Sequence, residues 1–155
     1  MKLKRIRLLL IIAILTFTII SFGLSAQNGS SSTSLTERIM MWLNLVSWPN
    51  IRNRTTEYYV WLNVLRQGAH FSLYIVGTVP VFLLVYTYQR NLLKVSAITV
   101  LVIGLYALSD EIHQLFVVGR SFQVIDLLTD LSGIILSCAI LMAMTWITHG
   151  IERGR

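Results

Sequence analysis

Charged residues are few in this chain: 13% of its 155 residues, against 55% that are apolar. That balance is far from a soluble composition. Cysteine occurs once, at Cys138 in the middle of an apolar run. It has no partner for an internal disulfide, and its setting fits packing better than thiol chemistry. The chain also lacks an internal repeat, a glycine-rich phosphate loop, an HExxH pair, a nucleophile elbow and any long heptad, so the enzyme and solenoid classes those patterns mark are excluded. The net charge of +6 does not point to nucleic acid, because the Lys and Arg residues are dispersed over the chain ends and short connections.

Long apolar runs are what the chain has instead. Four of them, 6–24, 69–88, 95–114 and 124–147, approach the roughly 20 residues that cross a bilayer. Lipid offers backbone groups no partner, so such runs must be helices unless a closed barrel forms. The expected fold is an all-α membrane protein, a single domain over 1–155, with four transmembrane helices in a compact bundle. Lys2, Lys4, Arg5 and Arg7 precede the first run, Arg90 and Lys94 separate the second and third, and Arg153 and Arg155 close the chain. Basic residues collect on the cytoplasmic side, which predicts both termini inside. Arg38, Arg52, Arg54, Arg66 and Arg120 then fall on the other side. The basic start, apolar stretch and small Ser25 and Ala26 also fit a cleavable signal peptide. The run is longer than a usual signal core and its loss would leave three spans, so a retained anchor is expected.

The outer loop, 25–67, is not featureless. Residues 27–33 (QNGSSST) read as a polar, flexible link. Ser34-Leu35-Thr36-Glu37 has capping-box spacing and introduces Ile39, Trp42, Leu43 and Val46. This predicts a short amphipathic helix ending before Pro49, lying either in the membrane interface or over the bundle as a lid. A second short helix is expected from Thr55, with Tyr58, Trp61, Leu62 and Leu65 at helical spacing, running into the second span.

Four of the seven acidic residues lie between Tyr106 and Gly133, in YALSDEIHQLFVVGRSFQVIDLLTDLSG. Asp110, Glu111, His113 and Gln114 end the third run, and Asp126 and Asp130 begin the fourth. Arg66, His70 and Tyr74 share a face at the start of the second. The topology brings these three helix ends to one surface, with Arg120 on the turn between the last two. Asp126 suits a helix start, but Asp110 and Glu111 sit where the helix dipole disfavours them. Arg120 or Arg66 is expected to offset them. Asp130, a turn deeper, needs a partner or a proton.

One reading of this cluster is an ion-paired clasp that fixes helix ends. The other is a pocket, with three uses. Carboxylates with His70 or His113 would hold a divalent cation, although no standard ligand spacing is present. His113 or His70 would act as acid or base, oriented by Asp110, Glu111 or Asp126. Arg66 and Arg120 would grip a phosphate or carboxylate head group. A transporter fits less well, since the acids lie near one face and not at the midplane. No motif identifies a cofactor. Membrane lipids are the expected partners, and small residues at Gly104, Gly133 and Ser137 permit close helix contacts within the bundle or in a homo-oligomer.

The chain resembles the VanZ-like family of small bacterial membrane proteins over nearly its full length. The likeness rests on Leu24-Ser25-Ala26-Gln27, on RQGAHFSLY from Arg66 to Tyr74, and above all on the Tyr106–Gly133 block. Val118 stands where that family often has proline, and Asp130 where asparagine is frequent. The resemblance implies a multi-pass protein of the bacterial cytoplasmic membrane, in a family named for an accessory protein of glycopeptide resistance associated with reduced susceptibility to teicoplanin. It supplies no mechanism. Two functions are expected from these residues: binding of a lipid-linked cell-wall precursor or lipoglycopeptide in an outer-leaflet pocket, or an enzyme acting on a lipid head group.

Overall fold

A computed structural model of the chain describes residues 1–153, so Arg155, counted above among the basic residues of the chain end, lies outside the described residues. The fold is all-helical: α1 (Lys2–Ser25), α2 (Gly29–Trp42), α3 (Trp48–Arg52), α4 (Thr56–Tyr86), α5 (Leu92–Gln114) and α6 (Val124–Arg153). Four of these, α1, α4, α5 and α6, are long and apolar enough to cross a membrane. At 1.5 Å per residue, the 31 residues of α4 extend about 46 Å, beyond a hydrocarbon core of about 30 Å. The second loop helix is therefore the first three turns of α4 itself, capped by Thr55, whose hydroxyl accepts from the Tyr58 amide at 3.4 Å. Pro80 stands inside α4 and leaves one carbonyl of the preceding turn without its usual donor.

The bundle wears its apolar residues outward. Ile19, Val76 and Leu101 are 72%, 68% and 62% exposed, which suits lipid and would be an aggregation surface in water. Inside, Phe17, Tyr74, Val81, Ile103, Ala107 and Ile134 form the central core. Phe17 meets Tyr74 edge-on at 5.9 Å, and Tyr106 at 5.7 Å. Close approach is made possible by absent side chains. A Cβ on Gly77 would enter the Phe17 ring, and one on Gly133 would stand 2.7 Å from the Phe71 carbonyl oxygen. One turn beyond Gly133, the Ser137 hydroxyl donates to the Ile75 carbonyl at 3.0 Å, so α4 and α6 are in near-backbone contact. At one end of the bundle Arg7 ties α1 to the end of α4, donating to the Thr87 hydroxyl and carbonyl at 3.0 Å each and lying 3.7 Å over the Tyr88 ring.

The other end is covered by α2 and α3. The expected flexible link 27–33 is mostly helix: Asn28 caps α2 by accepting from the Ser31 amide at 2.8 Å, and the Gly29 amide donates to the Val118 carbonyl at 3.0 Å. Serine and threonine are tolerated there because Thr33 and Thr36 return their hydroxyls to carbonyls one turn back. The expected capping box at Ser34 is thus mid-helix, and Glu37 instead accepts from the Tyr58 hydroxyl at 2.8 Å. Asn44, at φ 53°, breaks the chain after α2. Pro49 is not a stop but lies in the first turn of α3, where its missing N–H costs nothing. Met40, Val46, Ile51 and Tyr58 form a small second core under these segments, while Trp42 and Trp48 remain 81% and 63% exposed.

Candidate functional site

The polar end of the bundle is built from one segment of each neighbouring helix: Arg66, Gln67, His70 and Tyr74 on α4, Asp110, Glu111 and Gln114 on α5, and Asp126, Thr129 and Asp130 on α6. All four carboxylates are buried, three of them completely. Burying ions is costly unless each is paired or hydrogen-bonded, so their partners define the site.

Asp126 is the best served. It pairs with Arg66 through one oxygen and accepts from the Gln67 amide through the other at 2.5 Å. Gln67 in turn accepts from the Thr129 hydroxyl. Gln123, with its amide oxygen turned toward Arg66, accepts from both terminal guanidinium nitrogens at 2.8 and 3.0 Å. Asp130 meets the His70 Nδ1 at 3.0 Å. Glu111 accepts only from the Gln123 backbone amide, at 3.0 Å. Among the described residues, Oε1 of Glu111, Oδ2 of Asp130 and Oδ1 of Asp110 have no hydrogen-bond partner, and neither side-chain atom of Gln114 has one.

Among the described residues Arg120 forms no ion pair with Asp110 or Glu111, whose charges act on it through space, after that of Asp126. The turn at Gly119, with φ 74°, aims it at the end of α1, where its Nε donates to the Gln27 carbonyl at 3.2 Å. Burial pushes its guanidinium below the usual arginine range, and the nearby Arg66 charge adds to that. Nor does Arg66 reach those two acids, because Asp126 and Gln123 occupy it. Ser25 and Gln114 are the polar neighbours of Asp110.

A cavity of about 820 Å³ opens between α1, α2 and α4 beside this cluster. Leu24, Leu35, Ile39, Val64, Leu73 and Val76 make its walls apolar. Its polar lining includes Arg66, His70, Tyr74, Asp110, Gln114 and Arg120. A volume in this range accommodates a drug-sized molecule or a head group with part of its chain. A side crevice of about 90 Å³ continues from Arg66 and Arg120 between Gly29 and Thr36.

Six of the ten residues singled out from sequence therefore line one cavity. Asp126 and Asp130 stand behind it, hydrogen-bonded to Arg66 and His70 that face it. Glu111 is fully buried at the α5–α6 junction. His113 is turned to α1, its ring stacked on Phe22 at 4.5 Å between centroids, and it takes no part in the group His70, Glu111 and Asp130, whose ligand atoms all lie within 4.8 Å of one another. Among the described residues, that group has the ligand atoms close enough together to hold a metal ion. Gln67, Gln123 and Ser25 were missed in the sequence because uncharged polar residues at helix ends carry no pattern of their own.

No curated protein and no solved structure matches the chain. A family model does. The family described as VanZ/LLP1 matches residues 7–147, which takes in α4 and α5, most of α1 and α6, and every residue of the polar cluster. This four-helix membrane protein belongs to the VanZ/LLP1 family.

Proposed function

We propose that the chain is a binding protein of the bacterial cell envelope, whose cavity holds the anionic head group of a membrane amphiphile at the outer leaflet. One observation carries this reading: a cavity of about 820 Å³ with aliphatic walls that ends on two guanidinium groups, Arg66 and Arg120, and on His70. The walls suit an acyl or prenyl chain, and the guanidinium fork suits phosphate or carboxylate. The basic residues at the opposite end of the bundle, Arg7 among them, favour placing the cavity outside. A lipid-linked cell-wall precursor and a lipoglycopeptide of the teicoplanin type both have the required chemistry, and tolerance to such a drug would follow from competition or sequestration at this cavity. The experiment compares cells carrying wild type, Arg120→Ala and no copy, reading lipid composition and teicoplanin susceptibility together. The variant should insert normally and lose protection with an unchanged lipid pool. Equal protection by the variant at equal membrane level would sink the reading.

A second reading, an enzyme acting on the head group, is favoured by the unpartnered Glu111 and Asp130 oxygens near His70. It predicts a lipid species that appears or disappears only with the wild-type protein.

A further inference from the structure

Among the described residues, two buried carboxylate oxygens, Oε1 of Glu111 and Oδ2 of Asp130, have no hydrogen-bond partner, on residues that are 0% exposed. Such an atom costs free energy unless something absent from the protein satisfies it. The surrounding charge makes the imbalance plain. Asp110, Glu111, Asp126 and Asp130 are four buried acids, and Arg66, already committed to Asp126, is the one cation besides a protonated His70 that pairs with any of them among the described residues.

We propose that His70, Glu111 and Asp130 bind one divalent transition-metal cation, Zn²⁺ or Mn²⁺, and that this ion and Arg66 together engage a phosphate-bearing head group; the second half rests on the amphiphile-binding reading above. The three residues come one each from α4, α5 and α6, so their convergence is a product of the tertiary fold and not of helical repeat. Their ligand atoms lie within 4.8 Å of one another, so the widest pair must close by at most about 0.6 Å to reach the roughly 4.2 Å that ligands on opposite sides of one ion keep. His70 Nδ1 and Asp130 Oδ1 stand 3.0 Å apart as a hydrogen-bonded pair, a contact that ligation of both residues by the ion would replace.

The donor set selects the ion. One imidazole with two carboxylates suits zinc or manganese, whereas calcium and magnesium take oxygen shells and thiolate-loving metals find no cysteine in the group. Three protein ligands leave coordination positions for water or a ligand oxygen. His70 lines the cavity beside Arg66, so such a position is reachable from where a head group would lie. A cation there would give Glu111 and Asp130 the partner they lack and offset the excess of buried acid behind Arg66 and Arg120, so that the cavity end favours an anion.

The test uses the full chain purified in detergent and stripped of metal. Mn²⁺ is titrated in and followed by loss of the free-ion electron paramagnetic resonance signal, and Zn²⁺ uptake is measured by elemental mass spectrometry. We expect about one equivalent per chain, with affinity reduced at least about tenfold in Glu111→Gln and in Asp130→Asn. Asp130→Asn keeps the side-chain shape and a hydrogen bond to His70, so it decides the matter should Glu111→Gln fail to run as a single species in size exclusion. Absence of saturable uptake by wild type, or equal affinity in the variants, overturns the site. Retention of phosphatidic acid from nanodiscs is then compared with and without Mn²⁺. A gain of several-fold is expected, and metal uptake with no gain removes the head-group half alone.

Discussion

Arg66 on α4 and Asp126 on α6, 60 residues apart in the chain, form the ion pair that joins the two helices at the polar end of the bundle. Asp126 is fully buried while the Arg66 side chain keeps 27% exposure, so the arginine reaches both a structural partner and the cavity. Asp126 also stands in the first turn of α6, where the helix dipole favours a negative charge. Arg66 thus joins two helix ends and lines the cavity with the same side chain.

Removing Arg66 strands a buried carboxylate with only Gln67 as donor. Arg66→Ala should cost about 2–3 kcal/mol, read as a lower melting temperature in detergent. Arg66→Ala combined with Asp126→Asn should recover part of the loss, because the uncompensated charge goes with it.

Close packing of α4 on α6 depends on Gly133. Its added Cβ would stand 2.7 Å from the Phe71 carbonyl oxygen, an atom that cannot move without shifting α4. Gly133→Val should therefore destabilise by at least about 1–3 kcal/mol. Gly23→Ala, where a Cβ meets nothing within 4 Å, should leave the melting temperature unchanged.

The two histidines separate cleanly. His113 stacks on Phe22 and is outside the carboxylate group, whereas His70 lines the cavity and bonds Asp130. His113→Gln should retain amphiphile binding and protection, and His70→Gln should lose both, at equal membrane levels. The opposite ranking in a lipid-retention assay would move the site toward α1.

Four spans place both chain ends on one side of the membrane. Cys138 is only 3% exposed, so a cysteine introduced elsewhere reports alone. Asn28→Cys should react with an impermeant maleimide on intact cells, and Lys4→Cys should react only after lysis. Labelling in the reverse pattern would put the cavity on the cytoplasmic face.

The spans were legible because each apolar run is long enough to have one explanation in lipid, and the Asp110 to Asp130 block stood out because charge there is costly. What was not legible had physical reasons. Arg120 or Arg66 was expected beside Asp110 and Glu111, but the left-handed Gly119 turn carries Arg120 to the Gln27 carbonyl and Asp126 takes Arg66. His113 shares a helical face with Asp110 by spacing, yet the stacking surface offered by Phe22 on another helix claims it. The polar segment 27–33 looked like a linker because serine and glycine are poor helix formers; Asn28 as cap and the Gly29 to Val118 hydrogen bond override that weak preference. The convergence of His70, Glu111 and Asp130 needs three helices in register, which no single-helix spacing encodes.

The most direct test of the account is native mass spectrometry of the protein released from membranes, comparing wild type with Ala69→Trp, a substitution on the cavity wall that narrows it and removes no member of the ion pairs. The account predicts a phosphate- or carboxylate-bearing amphiphile bound to the wild type at one per chain and absent from the variant. Equal retention of the same lipid by both would contradict it, since the cavity between α1, α2 and α4 would then not be where the amphiphile binds.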